Sequence, residues 1–253
     1  MTGDDHVLAR DLAAQAGQRL LELRAQGGDP DVLRKAGDRL SHEFLTAALA
    51  GRRPGDVVLS EEGADNPARL GARRVWIVDP LDGTREFGEP GRTDWAVHVA
   101  LWERDPGDLT AGAVALPAQG MVLSTAEPPA PLPEGAASGR IRIVVSRSRP
   151  PSFVRDISGL INAELVPLGS AGAKVAAVVC GEVDAYVHGG GFYEWDTAAP
   201  VAVARAAGLH ASRIDGSALA YNQPDLLMPD ILVCRPAVAG TLLQAIREVT
   251  NAP

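Results

Sequence analysis

The apolar residues near the N-terminus recur at three- and four-residue spacing. Leu8, Leu12, Ala16, Leu20 and Leu23 form one stripe, which predicts an amphipathic helix over 5–25. Gly27-Gly28-Asp29-Pro30 reads as its stop, and a second helix is expected over 37–50 with Leu40, Phe44 and Ala47 or Ala48 inward. The rhythm then changes. Pro54-Gly55-Asp56 is a turn signal, and Val57-Val58-Leu59 reads as a short strand ending at Ser60-Glu61-Glu62. Val75-Trp76-Ile77-Val78 reads as a buried strand that runs straight into Asp79. Residues 94–102 suit a central strand, and 110–116 and 120–125 suit two strands joined through Pro117-Ala118-Gln119-Gly120.

The interval 126–139 breaks the pattern with Pro128, Pro129, Pro131, Pro133, Gly135 and Gly139, and reads as a surface loop or inter-domain linker. It suggests an N-terminal α+β unit over 1–133 and a C-terminal α/β unit over 134–253. Ile141, Ile143 and Val145 open the second unit on a strand, and a helix is expected after Pro150-Pro151. Leu165–Leu168 and Val183–His188 read as strands, Ser170–Cys180 and Asp196–Ala207 as helices. Ile231–Cys234 reads as a last strand and Val238–Val249 as a terminal helix. Strands and helices mix throughout, so the fold class is a layered α/β (α+β) architecture and not a helical bundle.

Composition narrows the function classes. The chain has 253 residues and is 46% hydrophobic, enough for a sizeable core. Its formal net charge of -8 argues against a binder of nucleic-acid backbones, which needs clustered Lys and Arg. Arg52-Arg53 and Arg73-Arg74 are too short to alter that, and read as solvated surface charge. Cys180 and Cys234 each sit in an apolar run; two isolated cysteines make neither a disulfide framework nor a zinc site, which suits a reducing cytoplasm. No apolar run reaches the roughly 18 residues of a membrane span, so no membrane partner is expected. Asp4, Asp5 and His6 do not look like the start of a signal peptide.

The chemistry is concentrated where apolar runs stop. Trp76-Ile77-Val78-Asp79-Pro80-Leu81-Asp82-Gly83-Thr84 ends a strand in two aspartates three residues apart, with Pro80 restraining the backbone between them. If a helix starts at Gly83-Thr84, its free N–H groups can receive an anion. Carboxylates beside an anion need a hard cation between them, and an all-oxygen donor set suits Mg²⁺ or Mn²⁺ better than zinc. Glu61-Glu62 and Trp195-Asp196 also lie where apolar elements stop, and one sheet edge would unite all three clusters. Taken singly, each has a plainer reading: a surface Asp-Gly turn, solvated adjacent carboxylates, and Asp196 as an N-cap.

These segments closely resemble the inositol monophosphatase superfamily of magnesium-dependent, lithium-sensitive phosphatases. The motifs that carry the likeness are Ser60-Glu61-Glu62, Trp76 through Thr84, and Trp195-Asp196-Thr197-Ala198-Ala199. Lys35-Ala36-Gly37-Asp38 looks like the family's early metal-proximal segment. The resemblance implies an inositol monophosphatase-like fold of alternating αβαβα layers. It implies Mg²⁺, as two or three ions with Mn²⁺ able to substitute, held by Glu61, Asp79, the Leu81 carbonyl, Asp82 and Asp196. Glu61 and Thr84 would orient an attacking water, Asp38 would sit near a weaker third ion or its water, and Glu62 would play a supporting part. Asp82, Gly83, Thr84 and Arg85 would line the substrate site.

Gly169-Ser170-Ala171-Gly172-Ala173-Lys174 resembles a segment of the CysQ-like 3'(2'),5'-bisphosphate nucleotidase branch, as does Glu86 after Thr84-Arg85. Ala211 through Gly216, followed by Tyr221-Asn222, looks like its later nucleotide-side segment. This likeness implies hydrolysis of the 3'-phosphate of 3'-phosphoadenosine 5'-phosphate, with Ser170, Lys174, Glu194 and Arg213 on the substrate side and Lys174 and Arg213 as candidates for the second phosphate. Alternatives are an inositol-1-phosphate or fructose-1,6-bisphosphate phosphatase, or an inactive family member with a regulatory role. The partner is then a small phosphomonoester, and the family suggests a homodimer. Gly189-Gly190-Gly191 with Phe192, Tyr193 and Glu194 reads either as a cap over a base or as a turn. His98 and His188 read as structural.

Overall fold

The computed structural model describes residues 2–131 and 139–250. The expected boundary between residues 133 and 134 lies outside the described residues. The chain order is α1 (Thr2–Ala25), α2 (Pro30–Arg52), β1 (Val57–Ser60), β2 (Arg74–Asp82), α3 (Thr84–Gly88), β3 (Ala96–Glu103), β4 (Asp108–Leu116) and β5 (Met121–Ser124). It continues with β6 (Arg142–Ser146), α4 (Ser152–Leu160), β7 (Glu164–Leu168), α5 (Ala171–Val179), β8 (Ala185–His188), β9 (Phe192–Tyr193) and α6 (Glu194–Ala206). It closes with β10 (His210–Ser212), β11 (Leu227–Met228), β12 (Ile231–Cys234) and α7 (Pro236–Thr250).

Two five-stranded sheets organise the molecule, ordered β1-β2-β3-β4-β5 and β10-β12-β8-β6-β7, and β9 pairs with β11 as a small ribbon. In the first sheet only β1 and β2 are parallel; in the second, β6 runs parallel to both β7 and β8. Side-chain alternation divides each sheet between two cores. On β2, Trp76 and Val78 face α1 and α2, whereas Val75 and Ile77 face a central layer containing α5 and α6. On β12, Ile231 and Val233 face that central layer, whereas Leu232 and Cys234 face α4 and α7. Helix pair, sheet, helix pair, sheet and helix pair therefore stack as αβαβα.

Two boundaries differ from the sequence expectation for a local reason. The second helix begins at Pro30, seven residues before residue 37. Asp29 is its N-cap, accepting hydrogen bonds from the Asp31 and Val32 N–H groups, and Pro30 occupies the first turn, where no N–H is needed. The residues read as a stop thus also start the next helix. Likewise α6 begins at Glu194, so Asp196 lies inside the first turn and is not the N-cap; it accepts from the Tyr193 N–H at 2.5 Å.

Candidate active site

The alternation of β2 builds the site. On the face that carries Val75 and Ile77, the next residue is Asp79, and the pairing with β3 shifts register between Asp79 and Asp82. That irregularity, at Pro80, aims both carboxylates at the central layer. There α6 delivers Asp196, and carboxylate oxygens of Asp79, Asp82 and Asp196 lie within 4.8 Å of one another. At such separations two carboxylates repel by about 3 kcal/mol or more, taking an effective dielectric of roughly 20. A fold that holds three together wants a cation among them, and the all-oxygen set suits Mg²⁺.

The acidities record that crowding. Burial, then the charges of Glu61, Asp82 and Asp196, push Asp79 well above the usual carboxylate range. Burial and then the Asp82 charge push Asp196 up to about 7. Glu61 is exposed as a residue, yet its carboxyl turns in against Asp79; desolvation, followed by the charges of Asp82, Asp38 and Glu62, raises it to about 7. Asp38, on α2, is raised to about 7 by burial and by Glu62. It lies 3.4 Å from the Thr84 hydroxyl, which donates to the Leu81 carbonyl at 3.1 Å.

Asp82 behaves differently. Its burial would raise its pKa, but the nearby His98, the Lys174 charge and the Ser170 hydroxyl outweigh burial and hold it below the usual range. Its Oδ2 accepts from Ser170 Oγ at 2.5 Å and from the Gly172 N–H at 2.7 Å. His98 Nε2 stands 3.3 Å from the same oxygen without hydrogen-bond alignment, while Nδ1 lies 3.2 Å from the Trp195 carbonyl. Gly172 is required here, because a Cβ would overlap the His98 ring. Ser170 caps α5 through the Ala173 N–H while holding φ at 46°, a conformation rarely adopted by a non-glycine residue. The Lys174 ammonium, buried, donates to the Gly169 and Ser170 carbonyls at 3.1 and 2.6 Å, and Asp94 accepts from the Gly169 N–H at 2.6 Å. The loop before α5 is thus clamped from both sides.

A cavity of about 810 Å³ opens beside these groups, within the range of small-molecule sites. Asp82, Gly83, Thr84, Arg85, Ser170, Lys174 and Asp196 line it. Two expected substrate residues are elsewhere. Arg213 is held by Asp230 through two hydrogen bonds of 2.7 and 2.6 Å, and does not line this cavity. Glu194 is buried, and its two oxygens accept the Asn222 and Gln223 N–H groups at 2.7 Å each, so it pins the chain turn that carries Tyr221-Asn222. Lys174 reaches the cavity, but its ammonium is engaged with backbone carbonyls. Ser146, Ser148, Arg149 and Tyr186, which no sequence motif marks, line the same cavity together with His188. Nor does any motif give His98 a part beside the carboxylates; the signal is a lone imidazole in the apolar run from Ala96 to Trp102.

The sequence profile of the inositol monophosphatase family matches residues 7–251. The chain belongs to the inositol monophosphatase family. Within it, this chain is 52% identical to the 3'-phosphoadenosine 5'-phosphate phosphatase of Mycobacterium leprae, over 97% of this chain and 94% of the relative. It is 31% identical to the 3'(2'),5'-bisphosphate nucleotidase CysQ of Escherichia coli, over 83% and 91% of the two chains. The crystal structure of CysQ from Bacteroides thetaiotaomicron superposes with a TM-score of 0.78 at 29% identity, covering 92% of this chain and 97% of that one. Inositol monophosphatase II of Staphylococcus aureus shares the fold, with a TM-score of 0.78 at 22% identity over 96% and 92%. The αβαβα stack is the inositol monophosphatase fold, and the chain sits on the CysQ-like side of the family. Among the described residues no helix is long and apolar enough to cross a membrane.

Proposed function

We propose that this enzyme is a Mg²⁺-dependent phosphomonoesterase that releases the 3'-phosphate of 3'-phosphoadenosine 5'-phosphate or a related nucleoside 3',5'-bisphosphate. The observation that carries the reading is the convergence of Asp79, Asp82 and Asp196, of which Asp82 and Asp196 line one substrate-sized cavity together with Thr84. The identity of this chain to a phosphatase of that substrate supports the choice of nucleotide.

In this proposal Glu61, Asp79, Asp82, Asp196 and the Leu81 carbonyl would hold two or three Mg²⁺ ions. Bound Mg²⁺ supplies charge neutralisation for phosphoryl oxygens and acidifies water to a nucleophile near neutral pH. The chain supplies the positioning. Thr84 Oγ1, fixed between the Leu81 carbonyl and Asp38, orients the attacking water with Glu61. Gly83 and Thr84 receive the phosphate, and Arg85 stands at the cavity wall. Ser170 Oγ and the Gly172 N–H both donate to Asp82 Oδ2 and so fix the carboxylate that would help hold the cation. No covalent nucleophile is required.

The division into units over 1–133 and 134–253 belongs to the same proposal. Its support is that each five-stranded sheet is built entirely from one side of residues 132–138. A homodimer is proposed from the family likeness, and a reducing cytoplasmic setting from the two unpaired cysteines, Cys180 and Cys234. The test of substrate is a side-by-side comparison of kcat/KM for 3'-phosphoadenosine 5'-phosphate, inositol-1-phosphate and fructose-1,6-bisphosphate. The nucleotide is expected to lead; a clear preference for either sugar phosphate overturns the assignment.

A further inference from the structure

The cavity beside the carboxylates carries charge that none of the described residues engages. Ser146, Ser148, Arg149 and Pro151, from the segment joining β6 to α4, line it together with His188 and the 189–192 stretch. Two arginines of this segment have different fates. Arg147 is committed to Glu86 and Glu89 at 2.7 and 2.9 Å. Arg149 is exposed and makes no ion pair or side-chain hydrogen bond among the described residues. Arg85, at the start of α3, is exposed on the same cavity and equally without an ion pair. The cations first expected to meet a second phosphate are occupied: Arg213 by Asp230, Lys174 by the Gly169 and Ser170 carbonyls.

The backbone holds Arg149 in place. Its N–H donates to Ser146 Oγ at 3.2 Å, and Pro150 and Pro151 follow it directly. The residue before a proline is biased to extended backbone, so the guanidinium stem leaves a stiff segment and less freedom is lost when a ligand is gripped. The Arg149 charge also reaches into the cavity. Burial is the main cause that pushes His188 down to about 4, and the charges of Lys174 and Arg149 add to it. Carboxylates and guanidinium groups without an ion pair among the described residues, lining one cavity, fit a ligand with two anionic groups, one that would be held through cations at the carboxylates and one bound directly.

We propose that Arg149, with Arg85 on the same cavity, is the specificity-determining residue that binds the second, non-scissile phosphate of a bisphosphorylated substrate. The proposal rests on the phosphomonoesterase reading above and deepens it: the enzyme discriminates bisphosphates from monophosphates in this cavity, and not through Arg213. In the nucleotide reading the second anion is a 5'-phosphate; in a sugar bisphosphate it would be the distal phosphate.

The test measures kcat and KM with Mg²⁺ for wild type, Arg149→Ala, Arg149→Lys and Arg213→Ala. The substrates are 3'-phosphoadenosine 5'-phosphate, adenosine 3'-monophosphate and fructose-1,6-bisphosphate. Arg149→Ala is expected to lower kcat/KM for the nucleoside bisphosphate about 10- to 100-fold more than for the monophosphate, mainly through KM. Arg149→Lys should recover part of that loss, and Arg213→Ala should show no such split. Equal losses on both nucleotides, or no loss on the bisphosphate, overturn the proposal. If wild type ignores the nucleoside bisphosphate, the nucleotide assignment fails by itself. Then a KM-based loss of Arg149→Ala on fructose-1,6-bisphosphate still supports the second-anion site, and its absence overturns that too.

Discussion

Ser170 Oγ donates a 2.5 Å hydrogen bond to Asp82 Oδ2 across 88 residues of sequence. This contact ties the first sheet, which ends β2 in the carboxylates, to the N-terminus of α5 in the central layer. It gives Ser170 a different part from the one its motif suggested: the hydroxyl steadies a cation ligand from behind. Ser170→Ala should therefore weaken Mg²⁺ binding about tenfold and lower Tm modestly through loss of the α5 cap. Isothermal titration of the metal-free protein with Mg²⁺ checks this; unchanged Mg²⁺ affinity would remove Ser170 from the metal site.

Asp82→Asn keeps the size of the side chain and removes its charge. Turnover should fall by several orders of magnitude while circular dichroism remains that of the folded protein. Near-wild-type activity would take Asp82 out of the site.

The crowded carboxylates give the metal-free protein a defined pH dependence. Asp38, Glu61 and Asp196 are raised to about 7 in the folded chain, from ordinary values of 3.8 to 4.5. Between about pH 4 and 7 the folded state therefore binds more protons than the unfolded state, and stability falls as pH rises through that window. The Tm of metal-free protein should decline from pH 5 to pH 8, and Mg²⁺ should raise Tm more at pH 8 than at pH 5. Thermal melts at the two pH values, with and without Mg²⁺, read both effects; a Tm that rises with pH in the absence of metal contradicts the arrangement.

Arg213 and Glu194 define the limit of motif reading. Arg213→Ala breaks a pair with Asp230 that is only partly shielded from water, at a cost on the order of 1 kcal/mol of stability. It should leave kcat/KM for the preferred substrate within about threefold. A much larger loss in KM would return Arg213 to the substrate site.

Much of the fold was legible because it follows local rules. Continuous apolar runs mark β2 and β3, three- and four-residue spacing marks α1, and the strand-ending aspartates mark the site. The misreadings involve choices that local pattern leaves open. Asp29-Pro30 serves equally as a stop and as a cap with a first turn, and only the packing of α2 on β2 decides. A charged residue's type does not reveal its partner: Arg213 finds Asp230 at 17 residues' distance and Glu194 finds two backbone N–H groups near residue 222. Arg147 and Arg149 read alike in sequence, yet Glu86 and Glu89 engage only the first. His98 sits in an apolar strand, and nothing local shows that Asp82 and the Trp195 carbonyl lie beside its two nitrogens.

Phosphate release is expected to depend on the cation site that Asp79, Asp82 and Asp196 form. The most direct measurement is the rate of phosphate release from 3'-phosphoadenosine 5'-phosphate by metal-stripped protein, with and without added Mg²⁺. The rate should be negligible in chelator and restored by excess Mg²⁺, with no restoration in Asp82→Asn. Release that continues undiminished in chelator would contradict the account.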